Sequence, residues 1–265
     1  MPKKIIVSDL DGSLIDSQYS WKAAEDALKV IRQGDVPLVL CSSKTRAEME
    51  RYRRRLENRH PFVAENGGGM YIPTGYFPFP VGSDSEGDGY RIVSLGMPYE
   101  EIRKIFVMLR MQLGVAATGF GDLTTEQVAQ TTGLPEEEAA LAREREYGEP
   151  FLFEGPPDER LLRAIEAANL HWTQGRFYHI MGDHDKGRAV NLLRTLYERL
   201  YGTVQLIGLG DGLNDLPLLR AVDVPVLIRR EDGSYDGRID IPGLYRTNEM
   251  GPAGWNEAVL RFIDR

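Results

Sequence analysis

Strand-length apolar runs alternate with helical stretches at both ends of this chain. Residues 4–8 are mostly apolar and β-branched, and residues 21–31 then place apolar side chains at helical spacing. Residues 36–41 are apolar throughout, which is typical of a strand buried on both faces of a parallel sheet. The same alternation returns over residues 186–228. The pattern predicts an α/β fold with a doubly wound, mostly parallel sheet, whose ligands bind at the carboxyl ends of the strands.

The middle of the chain has a different sequence pattern. Residues 82–89 form a polar, glycine-rich run, which is typical of a linker or hinge. A second series of strand and helix patterns follows and extends to about residue 181. We therefore expect a core formed by residues 1–82 and 182–265, with an α/β cap of residues 83–181 inserted between its halves. A cap over a site at strand ends is a common way to exclude water from a reaction.

The composition is that of a globular protein with an acidic balance. Of the 265 residues, 42% are hydrophobic and 27% are charged, and the formal net charge is -8. Such a chain lacks the basic surface that a general binder of nucleic acid or membranes needs, so we expect neither partner. The single cysteine, Cys41, cannot form an internal disulfide, which fits a reducing compartment. With no bilayer-length apolar run and no signal-peptide pattern, we expect a cytoplasmic protein, and its oligomeric state stays open.

Two carboxylates stand at the end of the first predicted strand. Asp9 and Asp11 are two residues apart, so their side chains share one face of the strand and converge. Adjacent carboxylates repel each other and resist removal from water. A bound cation, or a division of roles between a nucleophile and an acid, would resolve this conflict. The alternative is a strand followed by a simple Asp-Gly turn.

Two further positions suit an anionic ligand. Ser42, Ser43 and Lys44 follow the apolar run 36–41 at a predicted helix start, and backbone N–H groups at a helix N-terminus bind phosphate. An ordinary N-cap is the alternative, because serine and threonine are favoured there. Lys186 begins a later helix, where a compact charge would suit a phosphate or a carboxylate pair. A solvated lysine is the alternative at that position.

A glycine-rich and acidic turn follows the strand predicted at residues 204–209. Glycine lets a backbone approach a ligand closely, and Asp211 and Asp215 supply the hard oxygen ligands that bind cations. A turn without a ligand is the alternative. The segment is not a dinucleotide-binding fingerprint, because Leu213 stands where that pattern needs glycine.

These four segments, in this order, resemble the motifs of the haloacid dehalogenase superfamily of phosphatases. The match consists of Asp-x-Asp-Gly at 9–12, a serine after the second strand, Lys186, and Gly-Asp-Gly-x-Asn-Asp at 210–215. The resemblance implies the following roles: Asp9 as nucleophile, Asp11 as general acid and then base, Ser43 or its neighbour Ser42 as a phosphate ligand, Lys186 as the neutralising cation, and Asn214 near the phosphate or the lysine. It also implies a Mg²⁺ ion held by Asp9, Asp211 and the backbone carbonyl of Asp11, with Asp215 in support.

Other segments resemble, more narrowly, the mannosyl-3-phosphoglycerate phosphatase family. They are residues 40–49, 64–68, 120–142, 175–179 and 251–255. The resemblance implies hydrolysis of 2-O-mannosyl-3-phosphoglycerate, a small phosphorylated sugar–glycerate, to mannosylglycerate and phosphate in compatible-solute synthesis. A phosphatase or phosphomutase of another specificity is the nearest alternative. A binding protein that kept the fold and lost catalysis is a more distant one.

The chemistry of single residues suggests contacts to such a substrate. Arg176 would hold its carboxylate through two parallel hydrogen bonds, with Lys44 as a second cation. Asn66, Glu65 and His179 would hydrogen-bond the sugar hydroxyls. A solvated hairpin tip is the alternative for Arg176, and a core histidine is the alternative for His179.

Overall fold

The structure, a computed structural model, describes residues 1–263, and in that range the chain forms thirteen strands and nine α-helices. The strands are β1 (Lys3–Ser8), β2 (Leu38–Cys41), β3 (Phe62–Ala64), β4 (Gly69–Pro73), β5 (Ser85–Gly87), β6 (Tyr90–Ser94), β7 (Ala117–Gly119), β8 (Gly148–Phe153), β9 (His171–Gln174), β10 (Tyr178–Met181), β11 (Val204–Gly210), β12 (Val224–Arg229) and β13 (Tyr245–Met250). The helices are α1 (Glu25–Gln33), α2 (Arg46–Arg55), α3 (Tyr99–Leu113), α4 (Thr125–Thr132), α5 (Glu136–Ala142), α6 (Glu159–Ala167), α7 (Lys186–Tyr201), α8 (Leu216–Arg220) and α9 (Gly251–Ile263).

The larger sheet carries β1 at its centre. Its strand order is β13-β12-β11-β1-β2-β3-β4-β6-β5. All pairs from β13 to β3 are parallel, whereas β4, β6 and β5 pair antiparallel at one end. The α/β class and the mostly parallel sheet predicted from the sequence are therefore confirmed. The chain leaves β1 in one direction and returns to its other side at β11, and ligands bind at such a reversal of strand order.

Helices cover both faces of this sheet, which explains why its central strands are apolar throughout. Ile6 packs on the face covered by α1, α2 and α9, while its neighbours Ile5 and Val7 pack on the face covered by α7 and α8. Because side chains alternate along a strand, a strand buried on both faces needs an apolar residue at every position. All three side chains are at most 1% exposed, and each contributes about 1.5–3 kcal/mol through burial.

The smaller sheet is antiparallel, with the order β7-β8-β10-β9. Helices α3 and α6 pack on one of its faces around Phe106, Phe151 and Ile180. His179 precedes Ile180 in β10, so its side chain projects from the opposite face. That opposite face is the one that lines the cavity described below.

The glycine-rich segment at residues 82–89 is not a linker. It contains β5 and the turn into β6, and both strands extend the larger sheet through β4. β5 is the edge strand, and Gly89 takes a φ of +82° in the turn between β5 and β6, a conformation that glycine adopts without strain. Residues 85–94 therefore belong to the larger sheet, although the sequence-based boundary assigns them to the cap. The division into core and cap remains a prediction, and these strands move its first boundary towards residue 95.

Within residues 1–263, no helix combines the length and the apolar character that crossing a membrane requires.

Candidate active site

Asp9 follows the last residue of β1, and hydrogen bonds hold its backbone in place. Its backbone N–H donates to the carbonyl of Leu209 in β11 at 2.9 Å. Its own carbonyl accepts from Ser8 Oγ at 2.6 Å, and Ser8 Oγ in turn accepts from Trp255 Nε1 of α9 at 2.8 Å. The backbone that carries Asp9 is thus held by the neighbouring strand and by a helix from the end of the chain.

Lys186, the first residue of α7, links two carboxylates. Its Nζ donates to Asp9 Oδ1 at 2.7 Å and to Asp215 Oδ1 at 2.6 Å, and its side chain is fully buried. Burial by itself would lower the pKa of Lys186, but Asp215 and Asp9 outweigh it and hold the pKa above its ordinary value. The lysine is therefore a permanent cation beside Asp9.

Three carboxylates meet at this point with only partial neutralisation. Oxygen atoms of Asp9, Asp211 and Asp215 lie within 4.8 Å of one another. Burial raises the pKa of Asp9 well above its usual range, and the charge of Asp215 adds to that rise while Lys186 opposes it. Burial and Asp215 likewise raise the pKa of Asp211 to about 7. This donor set of hard, mutually repelling oxygens fits a divalent cation, which would relieve the repulsion.

The three carboxylates are not equivalent. Asp215 Oδ1 accepts from Lys186, and its Oδ2 accepts from the backbone N–H groups of Asp211 and Gly212 at 3.0 and 3.1 Å. Both oxygens of Asp215 are thus in use. Asp211 Oδ2 lies 3.6 Å from Arg230 Nε, but Asp9 and Asp211 each keep one oxygen that accepts no hydrogen bond from residues 1–263 and is free for a metal ion. Asp215 orients the loop that carries Asp211.

Gly12 lies close to the carboxylate of Asp211. It has a φ of +75°, and a Cβ at this position would lie 2.9 Å from Asp211 Oδ2. A side chain there would collide with a candidate metal ligand as well as strain the backbone. The Asp-x-Asp-Gly motif therefore needs its glycine for a close approach.

The carboxylate of Asp11 lies outside the metal group and pairs with Lys44 instead. The distance from Lys44 Nζ to Asp11 Oδ1 is 3.1 Å, and the distance to Glu48 Oε1 is 3.6 Å. The predicted role of Asp11 as general acid and base stays a prediction, as does that of Lys44 as a second cation for the substrate, and the structure adds a direct contact between the two side chains. A metal contact through the Asp11 backbone carbonyl remains a prediction.

The structure distinguishes the two serines. Ser42 is fully buried, and its Oγ accepts from the backbone N–H of Lys44 at 3.3 Å. Ser43 lines the cavity beside Asp9 and Asp11. Ser43 is therefore the hydroxyl available to a ligand, and Ser42 stabilises the turn.

Asn66 and Asn214 contact each other. Asn214 Nδ2 donates to Asn66 Oδ1 at 3.5 Å, and Asn214 lines the cavity. Asn66 is buried with a φ of 55°, and it is not part of the cavity lining. The predicted contact of Asn66 with a sugar hydroxyl stays a prediction, and the contact that the structure shows is the one to Asn214.

A cavity of about 1030 Å³ opens above Asp9 and Asp11. The smaller sheet supplies its opposite wall, including Arg176 and His179. His179 is buried with Nδ1 unpartnered, and burial together with Arg145 lowers its pKa to about 3, so it is a neutral imidazole. Five basic residues line the cavity: Lys44, Arg145, Arg176, Arg230 and Arg238.

Four of these five cations already pair with acids. Lys44 pairs with Asp11, Arg145 with Glu65, and Arg230 and Arg238 both pair with Asp236. Arg176 is the one without an acidic partner in the described part of the chain, and its guanidinium lies 5.3 Å from the centre of the Phe177 ring. It is therefore the cation free to take an anionic group.

Glu65, predicted to hydrogen-bond the sugar, is buried among protein partners, and its contact with substrate stays a prediction. It accepts from the backbone N–H groups of Glu146 and Tyr147 at 2.7 and 3.0 Å, and Arg145 Nε lies 3.2 Å from its Oε2. Arg145 Nη2 also donates to the carbonyl of Ser43 at 3.1 Å. This buried pair joins the segment after α5 to the turn after β3. The sequence offers no signal for it, because nothing local identifies which arginine meets a buried glutamate.

Comparison with known proteins identifies relatives along the whole chain. A family model described as haloacid dehalogenase-like hydrolase matches residues 6–76. A glucosyl-3-phosphoglycerate/mannosyl-3-phosphoglycerate phosphatase of Methanococcoides burtonii is 43% identical over 99% of this chain and 98% of its own length. A protein of the same name from Persephonella marina is 39% identical over 98% and 97%. A mannosyl-3-phosphoglycerate phosphatase of Pyrococcus furiosus is 37% identical over 85% and 90%.

Solved structures agree on the fold. A Thermoplasma acidophilum protein superposes with a TM-score of 0.71 at 16% identity, with 99% of each chain covered. The sucrose-phosphatase of Synechocystis, solved with sucrose and phosphate, gives a TM-score of 0.65 at 14% identity, again with 99% of each chain covered. The sequence relatives decide the assignment: the chain belongs to the haloacid dehalogenase-like hydrolases, within the family of the mannosyl-3-phosphoglycerate phosphatases.

Proposed function

We propose that this phosphatase hydrolyses a glycosyl-3-phosphoglycerate, with mannose or glucose as the sugar, to the glycosylglycerate and phosphate in compatible-solute synthesis. The observation that carries the proposal is the position of Asp9. This carboxylate is buried against Lys186 at 2.7 Å and lies at the floor of a cavity whose other wall carries the free cation Arg176. The names of the full-length relatives give the substrate class.

Asp9 is arranged for covalent catalysis. Lys186 holds Oδ1, and Asp9 Oδ2 accepts no hydrogen bond from the described residues. Oδ2 would attack phosphorus, so that the P–O bond to glycerate breaks as the Asp9–phosphate bond forms. Hydrolysis of phosphate monoesters requires accelerations of up to ~10²¹, and a covalent intermediate divides that barrier into two steps. Lys186 would offset the repulsion between the nucleophile and the dianionic phosphate.

Asp11 would handle the protons of both steps. It stands beside Asp9 at the cavity floor and is partly open to it. Its carboxyl proton would pass to the glycerate oxygen as that oxygen leaves, and the resulting carboxylate would take a proton from the water that attacks phospho-Asp9. One acid–base group therefore serves both halves of the reaction.

A Mg²⁺ ion would be held by Asp9, Asp211 and the backbone carbonyl of Asp11. When bound, it supplies positive charge that stabilises the phosphoryl group in transfer. The raised pKa values of Asp9 and Asp211, caused first by burial and then by Asp215, support a cation at this position.

The substrate's other groups match the smaller sheet. Arg176 would bind the glycerate carboxylate, because it is the cavity cation without an acidic partner in residues 1–263. The neutral His179, which lines the cavity, would hydrogen-bond a sugar hydroxyl through its imidazole ring. The cavity of about 1030 Å³ accommodates a sugar linked to phosphoglycerate.

A phosphate-release assay tests the proposal. The substrates are mannosyl- and glucosyl-3-phosphoglycerate, mannose 1- and 6-phosphate, and free 3-phosphoglycerate, each with Mg²⁺ or with a chelator. We expect the highest kcat/KM for one of the two glycosyl-3-phosphoglycerates, and turnover only with the metal. Equal or faster hydrolysis of the mannose phosphates would contradict the substrate, and phosphoryl return to substrate without net phosphate release would indicate a mutase.

A further inference from the structure

Lys44 is a buried cation whose side chain is directed at the acid–base residue. Its Nζ lies 3.1 Å from Asp11 Oδ1, and its side chain is 8% exposed. The Asp11 side chain is 45% exposed, and this lysine is its one salt-bridge partner among residues 1–263. An acid–base group with a single polar contact depends on that contact for its orientation.

The surroundings of Lys44 fix its own position. Glu48 Oε1 lies 3.6 Å from Nζ, and the rings of Tyr19 and Tyr52 lie 5.3 and 5.4 Å from it. The Lys44 backbone donates to Ser42 Oγ at 3.3 Å and accepts from the N–H of Glu65 at 2.9 Å. The side chain is therefore held at both ends before any substrate binds.

The second partner of Lys44 is itself anchored. Glu48 is the third residue of α2, where its Oε2 accepts from the backbone N–H of Thr45 at 2.9 Å in a capping box. The same carboxylate thus caps the helix through one oxygen and faces Lys44 through the other. This arrangement ties the orientation of Asp11 to the start of α2.

Charge also argues against Lys44 as a substrate cation. One ammonium between the carboxylates of Asp11 and Glu48 leaves the group with a net negative charge when both acids are ionised. A substrate carboxylate would be repelled by the two acids and would have to displace one of them. Arg176, which has no acidic partner among residues 1–263, is the better site for that carboxylate.

We propose that Lys44 is a positioning residue that orients Asp11 for proton transfer in the phosphatase reaction. Lys44 holds Oδ1 of Asp11, which leaves Oδ2 to carry the proton and to face the ester oxygen. As the Asp9–phosphate bond forms and the P–O ester bond breaks, that proton moves to the leaving oxygen. Asp11 is left as a carboxylate, which remains paired with Lys44. The proposal rests on the proposed function, because it assigns a role within that reaction.

Substrates whose leaving groups differ in basicity can distinguish a residue that orients the general acid from one that binds the substrate. Glycerol 3-phosphate and 3-phosphoglycerate both have an alkoxide leaving group that needs a proton, but only the second has a carboxylate. The leaving group of p-nitrophenyl phosphate is weakly basic and needs little assistance. We compare kcat/KM, which reports the steps up to transfer of the phosphoryl group, for the three compounds.

For Lys44→Met we expect kcat/KM to fall by about 10–100-fold on both alkyl phosphates, because misorienting Asp11 loses part of the roughly 10²–10⁴-fold that general acid catalysis contributes. On p-nitrophenyl phosphate we expect a fall of less than about 3-fold. Lys44→Gln, whose amide can still donate to Asp11, should lose less on the alkyl phosphates. Lys104→Met, which removes an exposed lysine of α3, is the matched control and should change none of the three values.

Two results would overturn the proposal. A loss confined to 3-phosphoglycerate would make Lys44 a carboxylate ligand, and an equal loss on all three compounds would make it a phosphate ligand or a structural residue. If Lys44→Met does not fold, Lys44→Gln decides by the same comparison. The proposed function is tested separately in the same assay, by comparing the wild type with Asp9→Asn. The wild type should release phosphate, and Asp9→Asn should release none.

Discussion

Asp9 occupies an environment that is unfavourable for a carboxylate. It is buried beside Asp211 and Asp215, and Lys186 is the only cation that contacts it among the described residues. Burial raises its pKa, and Asp215 raises it further. A carboxylate held in this way lowers the stability of the fold. Its presence is therefore explained by a role in the reaction rather than by a role in folding.

Asp9→Asn should abolish phosphate release and leave the fold intact. The amide has nearly the same shape and can stay beside Lys186, but it is no nucleophile, so we expect kcat to fall by about 10³-fold or more. Acid quenching with ³²P-labelled substrate should trap label on the wild-type protein and none on the variant. Asp232→Asn, at the cavity rim, is the matched control and should retain both activity and label. Label retained by the Asp9 variant would end the covalent mechanism.

Arg176→Ala should separate substrates by their carboxylate. Losing a charge-assisted pair of hydrogen bonds costs about 1.5–3 kcal/mol, which corresponds to roughly 10–150-fold in kcat/KM for a glycosyl-3-phosphoglycerate. For p-nitrophenyl phosphate we expect less than about 2-fold. Arg238→Ala is the control, because Arg238 lines the same cavity but is already paired with Asp236. Equal losses on both substrates would exclude a carboxylate-binding role for Arg176.

The sequence indicates the reacting residues better than their supports. Asp9, Lys186, Asp211 and Asp215 stand in motifs of fixed spacing, and the structure brings them together. The partner of Lys44 could not be foreseen, because a lysine beside serines at a helix start suits a substrate anion equally well. The choice between Ser42 and Ser43 likewise depends on which side chain the turn directs inwards.

At the scale of elements, strands and helices with a clear periodic pattern of apolar residues could be predicted from the sequence. Elements without such a pattern could not. The pattern predicts no element after residue 228, yet β13 and α9 follow there. β13 is a polar edge strand, so the apolar alternation that identifies a strand is missing. α9 begins with Gly251 and Pro252, and its place is set by the burial of Trp255 behind β1. Tertiary packing, rather than local preference, defines these elements.

The pair of Glu65 and Arg145 fastens two elements together. Both side chains are at most 4% exposed, and the pair spans from the turn after β3 to the segment between α5 and β8. Removing one partner of a buried pair costs about 3–5 kcal/mol, because the other charge stays buried and unpaired. We therefore expect Arg145→Met to destabilise the protein by about that amount in denaturant unfolding. The double variant with Glu65→Gln should recover part of the loss.

A more exposed ion-pair contact, between α2 and α5, provides the control. Arg51 of α2 lies 3.6 and 3.5 Å from Glu137 and Glu138 of α5, and its side chain is 35% exposed. Solvent screens such contacts, so Arg51→Met should cost less than about 1 kcal/mol. Similar losses for Arg145→Met and Arg51→Met would show that burial does not set the strength of the Glu65 pair.

At the scale of the whole molecule, the site is divided between the two sheets. The larger sheet supplies the nucleophile and the acidic cluster at its strand ends, and the smaller sheet supplies Arg176 and His179 opposite them. Although the chain carries a formal charge of -8, five basic residues line the cavity. The same lining carries seven carboxylates, those of Asp9, Asp11, Asp16, Glu48, Asp211, Glu231 and Asp232, and four of the five cations are paired. Attraction of an anionic substrate would therefore depend on Arg176 and on a metal ion at the acidic cluster rather than on the sum of the cavity charges.

The acidic cluster should make the stability of the whole chain depend on metal and pH. The partly buried Asp211, whose pKa is raised to about 7, binds more protons in the folded state than in the unfolded state between about pH 4 and 7. Without metal, its contribution to stability should therefore fall as the pH rises through that window. Asp211→Asn removes this penalty, so at pH 7.5 with chelator the variant should melt above the wild type.

Magnesium should reverse that order. A ligand at 100 times its Kd stabilises the folded state by about 2.7 kcal/mol, so the wild type should gain several degrees in Tm on addition of Mg²⁺. Asp211→Asn should gain little, because it lacks one of the two carboxylates with a free oxygen. Asp240→Asn, an exposed substitution in the loop after β12, should respond as the wild type does. An equal Mg²⁺ shift in all three proteins would place the metal elsewhere, since loss of a ligand must weaken binding at its own site.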